Sequence, residues 1–317
     1  MNKIKHWIIE MLQILPPSAL RYLCQLVAKH RTLSPWPGWV CDAITEDGHQ
    51  LCASLRAEIV KRARKEQLDF LINCKFQPKV KVKIRLTEMM GRCLFQSGCY
   101  EPNEFAYLDR TLKRGMTFLD IGANFGLYTV WAARRVGNTG LVVAFEPSQR
   151  EFIRLQKNVR LNHLKNVRLL DIGVSNSNRT AELHISDENE PGQNTLGGFV
   201  YPDVREVEST KIDLKPIDNI LQSLRVKHVD TAKIDVEGHE LFVLQGMRSV
   251  LERDHPSLII EVQEASLQKQ CCTVKQIFDL LYGIGYTAME FDTSTGLPVP
   301  ISNKESWQGN NLLWVAQ

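Results

Sequence analysis

The chain has 317 residues, 44% of them hydrophobic and 24% charged, with a formal net charge of +3. That composition is globular, and the length fits one large α/β domain with an appendage or two modest domains. The small charge and dispersed basic residues exclude a nucleic-acid binder that works by electrostatics alone. Eight cysteines contain no C-x-x-C pair, so the pattern reads as reduced thiols and not as a zinc site or a disulfide frame.

The N-terminus, MNKIKHWIIEMLQILPPSAL, carries an apolar run from Trp7 to Leu15 that is interrupted by Glu10 and Gln13 and stopped by two prolines. It is too short and too polar to span a membrane, and no small-x-small cleavage site follows promptly. An amphipathic helix packed on the protein is expected, with peripheral membrane contact as the minor reading and the cytoplasm as the default location. Helical text with breaks at SPWPGW and EDG continues to about residue 75. KVKVKIRL then alternates, with Val80, Val82, Ile84 and Leu86 on one face and lysines and arginine on the other, as a half-buried strand requires. The basic row is read chiefly as a guard against strand aggregation, and secondarily as a contact for an anionic substrate.

From residue 100 the rhythm changes. TFLDIG, LVVAFEP, VRLLDIGVS, TAKIDVEG and SLIIEVQ are nearly continuous apolar runs separated by helical stretches, which predicts a parallel sheet covered on both faces. YTAMEF and NLLWVAQ are joined by loop alone, so the last pair should be antiparallel. TAELHIS reads as an extra strand, and DENEPGQNTLGGFV after it as a loop that closes over a substrate or as a plain surface excursion. The expected organisation is a helical extension with a short strand over residues 1–95 and a ligand-binding α/β domain over 96–317.

In an open parallel sheet, ligands bind beyond the carboxyl ends of the strands. The first such end reads DIGANFG: Asp120, Gly122, Asn124 and Gly126. The dinucleotide fingerprint G-x-G-x-x-G is broken by Asn124, and the phosphate-cradling G-x-x-x-x-G-K-[ST] is absent. A carboxylate at Asp120 repels a pyrophosphate and suits an ammonium group. Glu146 ends the next strand, where an acid accepts hydrogen bonds from two ribose hydroxyls. A ligand with an amino-acid end, a ribose and no phosphate is S-adenosylmethionine. On the third strand Asp171, or the backbone of residues 173–175, is placed for the adenine amino group; capping a turn is the other reading for Asp171.

These residues carry a resemblance to the FkbM family of S-adenosylmethionine-dependent methyltransferases over roughly residues 98–263, in GCYEPNEF, FLDIGANFGLYT, VVAFEPS and AKIDVEGHELFVLQG. The resemblance implies a Rossmann-like class I methyltransferase fold with seven strands, mostly parallel with an antiparallel last strand. It also implies methylation of a hydroxyl on a sugar, polyketide, glycan or similar small molecule. The first 95 residues lie outside the shared pattern.

Methyl transfer to an alcohol needs alignment of the acceptor oxygen and removal of its proton. Asp235 is expected to be the acceptor-positioning base or a cofactor contact, with Glu237 or His239 assisting; Lys233, on the same strand face by alternation, either depresses the pKa of that carboxylate or simply pairs with it. Glu240 is read as a helix-dipole partner. Glu261 with Asp235 would make only a two-acid site, so no metal is predicted. Two competing readings are an NAD-dependent oxidoreductase and a non-catalytic cofactor-binding module. No motif for stacking a flipped base is present, so nucleic acid is not the expected partner.

Overall fold

The computed structural model describes residues 47–66, 72–76, 80–96, 101–187, 191–292, 294–301 and 311–316, with isolated positions among 11–23 and at 68, 98 and 100. SPWPGW, most of the N-terminal amphipathic stretch and residues 188–190 of the expected loop lie outside the described residues. Contacts divide the chain into two compact units, Met1–Ala106 with Thr293–Gly296, and Tyr107–Asp292 with Leu297–Gln317.

In the first unit a helix over Asp47–Lys65 buries Ile59, Val60 and Ala63. Strands β1 (Ile72–Phe76) and β2 (Val80–Ile84) form an antiparallel pair. The alternation read in β2 holds: Val80, Val82 and Ile84 have no exposed surface, and Lys81 faces solvent.

The second unit begins its sheet with β3 (Thr117–Ile121), β4 (Leu141–Phe145) and β5 (Val167–Leu170), which run parallel. Helices Leu127–Val136 and Gln149–Leu161 connect them. The chain then leaves the main sheet. Strands β6 (Gly173–Val174), β7 (Arg179–Ser186) and β8 (Glu206–Lys215) build a separate three-stranded sheet in the order β6-β8-β7. It returns through β9 (Thr231–Ile234) and β10 (Ser257–Glu261), again parallel, and ends with β11 (Tyr286–Phe291), β12 (Pro298–Pro300) and β13 (Asn311–Ala316).

The main sheet has the order β12-β11-β13-β10-β9-β3-β4-β5. β13 lies between β10 and β11 and is antiparallel to both, as the loop-only connection of the last two apolar runs requires. The sheet has eight strands where seven were expected, because the short β12 pairs with the outer edge of β11. VRLLDIGVS is two strands in two sheets, and HELFVLQGMRSVLERD is two helices, Glu240–Gly246 and Arg248–Asp254, broken at Met247. The first of these helices ends under a close contact. A Cβ on Gly246 would fall 2.0 Å from the Ser175 carbonyl oxygen, so only glycine lets that backbone through.

The central strands are buried on both faces, which is why they read as continuous apolar runs. Ile121, Val143, Phe145, Ile234, Leu258 and Ile260 join Leu244 and Trp314 in one core. Each such side chain contributes about 1.5–3 kcal/mol of hydrophobic stabilisation. Among the described residues no helix is long and apolar enough to cross a membrane.

Because the chain goes from β3 outward to β4 and β5, then back to β9 on the other side, strand order reverses beside β3. Such a reversal opens a crevice at the carboxyl ends, here between the ends of β3 and β9.

Candidate functional site

The crevice is built from three consecutive strand ends. β9, β3 and β4 are neighbours in the sheet, and they present Asp235, Asp120 and Glu146 in that spatial order. A single helical crossover makes β3 and β4 neighbours, and the reversal of strand order brings β9, more than a hundred residues after β3, to the other side of β3.

Asp120 is 2% exposed, and the Thr129 hydroxyl, in the first turn of the following helix, donates to its Oδ2. Burial pushes its carboxyl up to about 6, opposed by the Thr129 bond and by the Lys233 ammonium on the neighbouring strand. The turn after it holds Gly122, Asn124 and Gly126 at φ of 82°, 49° and 89°. The glycines serve contacts within the protein. A Cβ on Gly122 would lie 1.7 Å from the Asp235 carbonyl oxygen, and one on Gly126 would lie 2.4 Å from Leu155. The N–H groups of Gly122 and Ala123 both donate to the Phe145 carbonyl, which fastens the turn to the end of β4.

Glu146 completes that fastening. Its Oε2 accepts from the Asn124 N–H at 2.7 Å and its Oε1 from the Ser148 N–H at 2.8 Å. Burial nevertheless dominates and pushes the carboxyl up to about 8, with the Glu151 carboxylate adding to the rise. Asn124 therefore contributes its backbone to Glu146, while its own Oδ1 accepts from the Phe125 N–H. Asp171 lies just past β5 and is exposed.

At the end of β9, Lys233 is 2% exposed and sits opposite Asp120 in the β3–β9 register. Its ammonium donates to Asp235 Oδ2 at 3.2 Å and lies 5.6 Å from the centroid of the Tyr128 ring. Asp235 keeps 28% of its side chain exposed, and its N–H donates to the Ile121 carbonyl at the end of β3. The chain then turns: Glu237 takes φ 51° and Gly238 φ 101°, which releases Glu237 from the strict strand alternation. Burial and the neighbouring Asp235 and Glu240 carboxylates hold the Glu237 carboxyl well above the usual range.

Two residues of this stretch point to the scaffold. The ring of His239 stacks on Phe242, its Nδ1 lies 2.6 Å from Gln270 Oε1, and its Nε2 lies 2.9 Å from Ser175 Oγ. Burial lowers it to about 4, so the ring stays neutral. Glu240 accepts from the N–H groups of Gly238 and Val236 and braces the turn that carries Glu237.

The loop after β7 lies across the crevice. Gln193 Nε2 donates to Glu237 Oε1 at 2.9 Å, and the Thr195 hydroxyl donates to the Glu237 carbonyl at 2.8 Å. On the other side, a Cβ on Gly192 would come within 3.6 Å of Asn124 Nδ2. Asn194 Oδ1 accepts from the Ser186 N–H, and Arg150 donates to the Ser186 carbonyl. Gln193 and Thr195 are site residues that sequence reasoning did not single out; a Gly/Asn-rich loop carries no signal of which member will reach across. Among the described residues no three His, Cys, Asp or Glu side chains are gathered to hold a metal ion.

A mostly parallel sheet with an antiparallel strand inside its far edge, and acids closing three adjacent strand ends, defines a methyltransferase of the Rossmann-like kind. The chain belongs to the FkbM methyltransferase domain family, whose model matches residues 120–288. Among characterised proteins it is 24% identical over 200 residues to Methyltransferase 1 of Beauveria bassiana, covering 58% of this chain and 74% of that protein. It is 29% identical over 170 residues to Methyltransferase sdnD of Sordaria araneosa, covering 45% and 63%. Among solved structures, an FkbM methyltransferase of Methylobacillus flagellatus aligns over 87% of this chain and 57% of its own at 15% identity, with a TM-score of 0.40. Aeropyrum pernix fibrillarin, solved with S-adenosyl-L-methionine bound, aligns over 65% and 68% at 14% identity, with a TM-score of 0.36. The chain spans less than two thirds of the Sordaria relative and of the Methylobacillus structure.

Proposed function

We propose that the protein transfers the methyl group of S-adenosylmethionine to a hydroxyl of a small molecule or glycan. The observation that carries this reading is the row Asp235, Asp120, Glu146 on consecutive strand ends. The donor set fits the cofactor: Asp120 for an ammonium group, Glu146 for a ribose diol and Asp171 for the adenine edge. The sulfonium supplies a methyl with a neutral leaving group that needs no acid.

The remaining work falls to this chain's own residues. Asp235, at the mouth of β9, accepts the proton of the acceptor hydroxyl as its oxygen is alkylated, acting as a general base. Lys233 holds the Asp235 carboxylate in place through its 3.2 Å bond and is itself held over Tyr128. Glu237 lines the acceptor side, and His239 is assigned the task of keeping the turn in register. Gln193 and Thr195 bring the β7–β8 loop down on Glu237 and exclude water from the reacting pair.

Calorimetry with S-adenosylmethionine, S-adenosylhomocysteine and NAD tests the cofactor. Saturable binding of the first two and none of NAD is expected; NAD binding would overturn the reading in favour of an oxidoreductase. Methyl release monitored over a panel of sugars and polyketide alcohols tests the reaction, and cofactor binding without turnover on any alcohol would favour a non-catalytic module.

A further inference from the structure

The opposite end of the same sheet carries a second concavity. A cavity of 490 Å³ opens at the amino ends of β3, β4 and β9, and it includes Thr117 and Leu141, the first residues of β3 and β4. Five-residue strands separate it from the methyl-transfer crevice by about 16 Å, at roughly 3.3 Å per residue. Its volume is that of a small-molecule site.

The lining divides by chemistry. Met116, Leu141 and Leu224 are half-buried and apolar, whereas Arg114, Arg225 and Lys227 are exposed cations around them. The acid in the cavity is already engaged. Asp230 Oδ2 accepts from the Thr117 N–H at 2.7 Å, and its Oδ1 lies 3.4 Å from His228 Nε2. His228 in turn is held by Asp254 at 3.1 Å. By contrast, the side chains of Arg114, Arg225 and Lys227 make no hydrogen bond or ion pair with any described residue. Three cations with no hydrogen-bond or ion-pair partner among the described residues therefore line one hollow with an apolar floor, against the single carboxylate of Asp230. Arg225 is held there by its backbone, at φ 56° with its N–H bonded to the Gln222 carbonyl, which fixes where the guanidinium starts.

We propose that this cavity binds a small organic anion of the phosphate-ester class. The phosphate meets the guanidinium groups of Arg114 and Arg225, whose planar forks match its oxygens, and the Lys227 ammonium. The carbon part rests on Met116, Leu141 and Leu224. A nucleic-acid backbone fits less well, because the cations surround a hollow instead of forming a stripe along a face.

The test is calorimetry at low salt with phenyl phosphate and with inorganic phosphate as probes. The expected result is one saturable site, tighter for phenyl phosphate, weakened by added salt and not displaced by saturating S-adenosylhomocysteine. The variant Arg114→Gln, Arg225→Gln, Lys227→Gln should weaken binding at least tenfold, with circular dichroism unchanged because all three side chains are exposed. Should the triple variant misfold, Arg225→Gln alone is read in the same way, with a weaker but measurable loss expected. No saturable binding, equal affinity for the two probes, displacement by S-adenosylhomocysteine, or unchanged binding in the variants would each overturn the proposal.

Discussion

The ammonium of Lys233, buried to 2% exposure, lies 3.2 Å from the carboxylate of Asp235, the first residue past the end of β9. A buried lysine is costly unless paired, so this ion pair is a fixed element of the crevice wall. Asp235→Asn should reduce methyl transfer by about a hundredfold or more, the usual worth of a general base, with S-adenosylhomocysteine affinity unchanged. Lys233→Met should also reduce turnover while keeping cofactor affinity within a few-fold. Steady-state kinetics beside calorimetry separates the two effects, and an Asp235→Asn enzyme with wild-type turnover would remove Asp235 from the mechanism.

Cofactor affinity should depend on pH in one direction. Glu146 is pushed up to about 8 and Asp120 to about 6, and both carboxylates accept more strongly when ionised. A complex in which ribose hydroxyls and an ammonium favour the anions holds fewer protons than the free protein. The Kd for S-adenosylhomocysteine should therefore fall as pH rises from 6 to 8.5. Glu146→Gln should weaken binding and flatten that slope; a Kd independent of pH in the native protein would argue against both contacts.

Stability without cofactor should run the other way. Asp120, Glu146 and Glu240 have folded values of about 6, 8 and 7 against ordinary values of 3.8, 4.5 and 4.5. The folded protein keeps protons that the unfolded chain has lost, so their contribution is full below about pH 4 and disappears as pH rises through 6 to 8. His239, lowered to about 4 from 6.5, costs stability as pH falls from 6.5 toward 4. Thermal melting should show Tm falling from pH 6.5 to pH 9, and Glu146→Gln should reduce the fall above pH 7.

Two glycines offer opposite outcomes. Gly122→Ala forces a Cβ into the Asp235 carbonyl at φ 82° and should cost more than about 3 kcal/mol, since strain and clash add. Gly283 lies exposed inside the Val274–Ile284 helix with nothing within 4 Å of its would-be Cβ. Gly283→Ala should add about 0.5–1 kcal/mol. Chemical denaturation of both variants checks the pair.

The Gln193–Glu237 bond ties the β7–β8 loop over the crevice. Gln193→Ala should speed protease cleavage between residues 187 and 205 and raise KM for the acceptor, with cofactor affinity little changed. Equal cleavage rates would show that the bond does not hold the loop.

Much of the crevice was legible because strand ends announce themselves. An apolar run ending in an acid and a turn residue marks the mouth of a parallel strand: Asp120 and Asp235 are followed by a glycine within three positions, and Glu146 by Pro147. The β2 alternation and the antiparallel tail were legible for the same reason, since their periodicity is local. β8 and the helix Ile217–Ser223 were not anticipated. Only two of the ten β8 residues are buried, so its strand pattern is faint, and a seven-residue helix is too short for a period to show. Gly122 and Gly126 clear space for Asp235 and Leu155, contacts from distant segments that no local pattern encodes.

The amino-acid sequence alone determined the parallel α/β architecture, the acids at the strand mouths and the shared strand face of Lys233 and Asp235, because each follows from spacing within a few residues. Tertiary structure alone decided that β9, β3 and β4 are neighbours, that Gln193 and Thr195 reach Glu237, that His239 is locked between Ser175 and Gln270, and that Arg114 and Arg225 share one cavity. Those facts depend on strand order and chain crossing, which bring together residues separated by tens of positions with no covalent or periodic link between them.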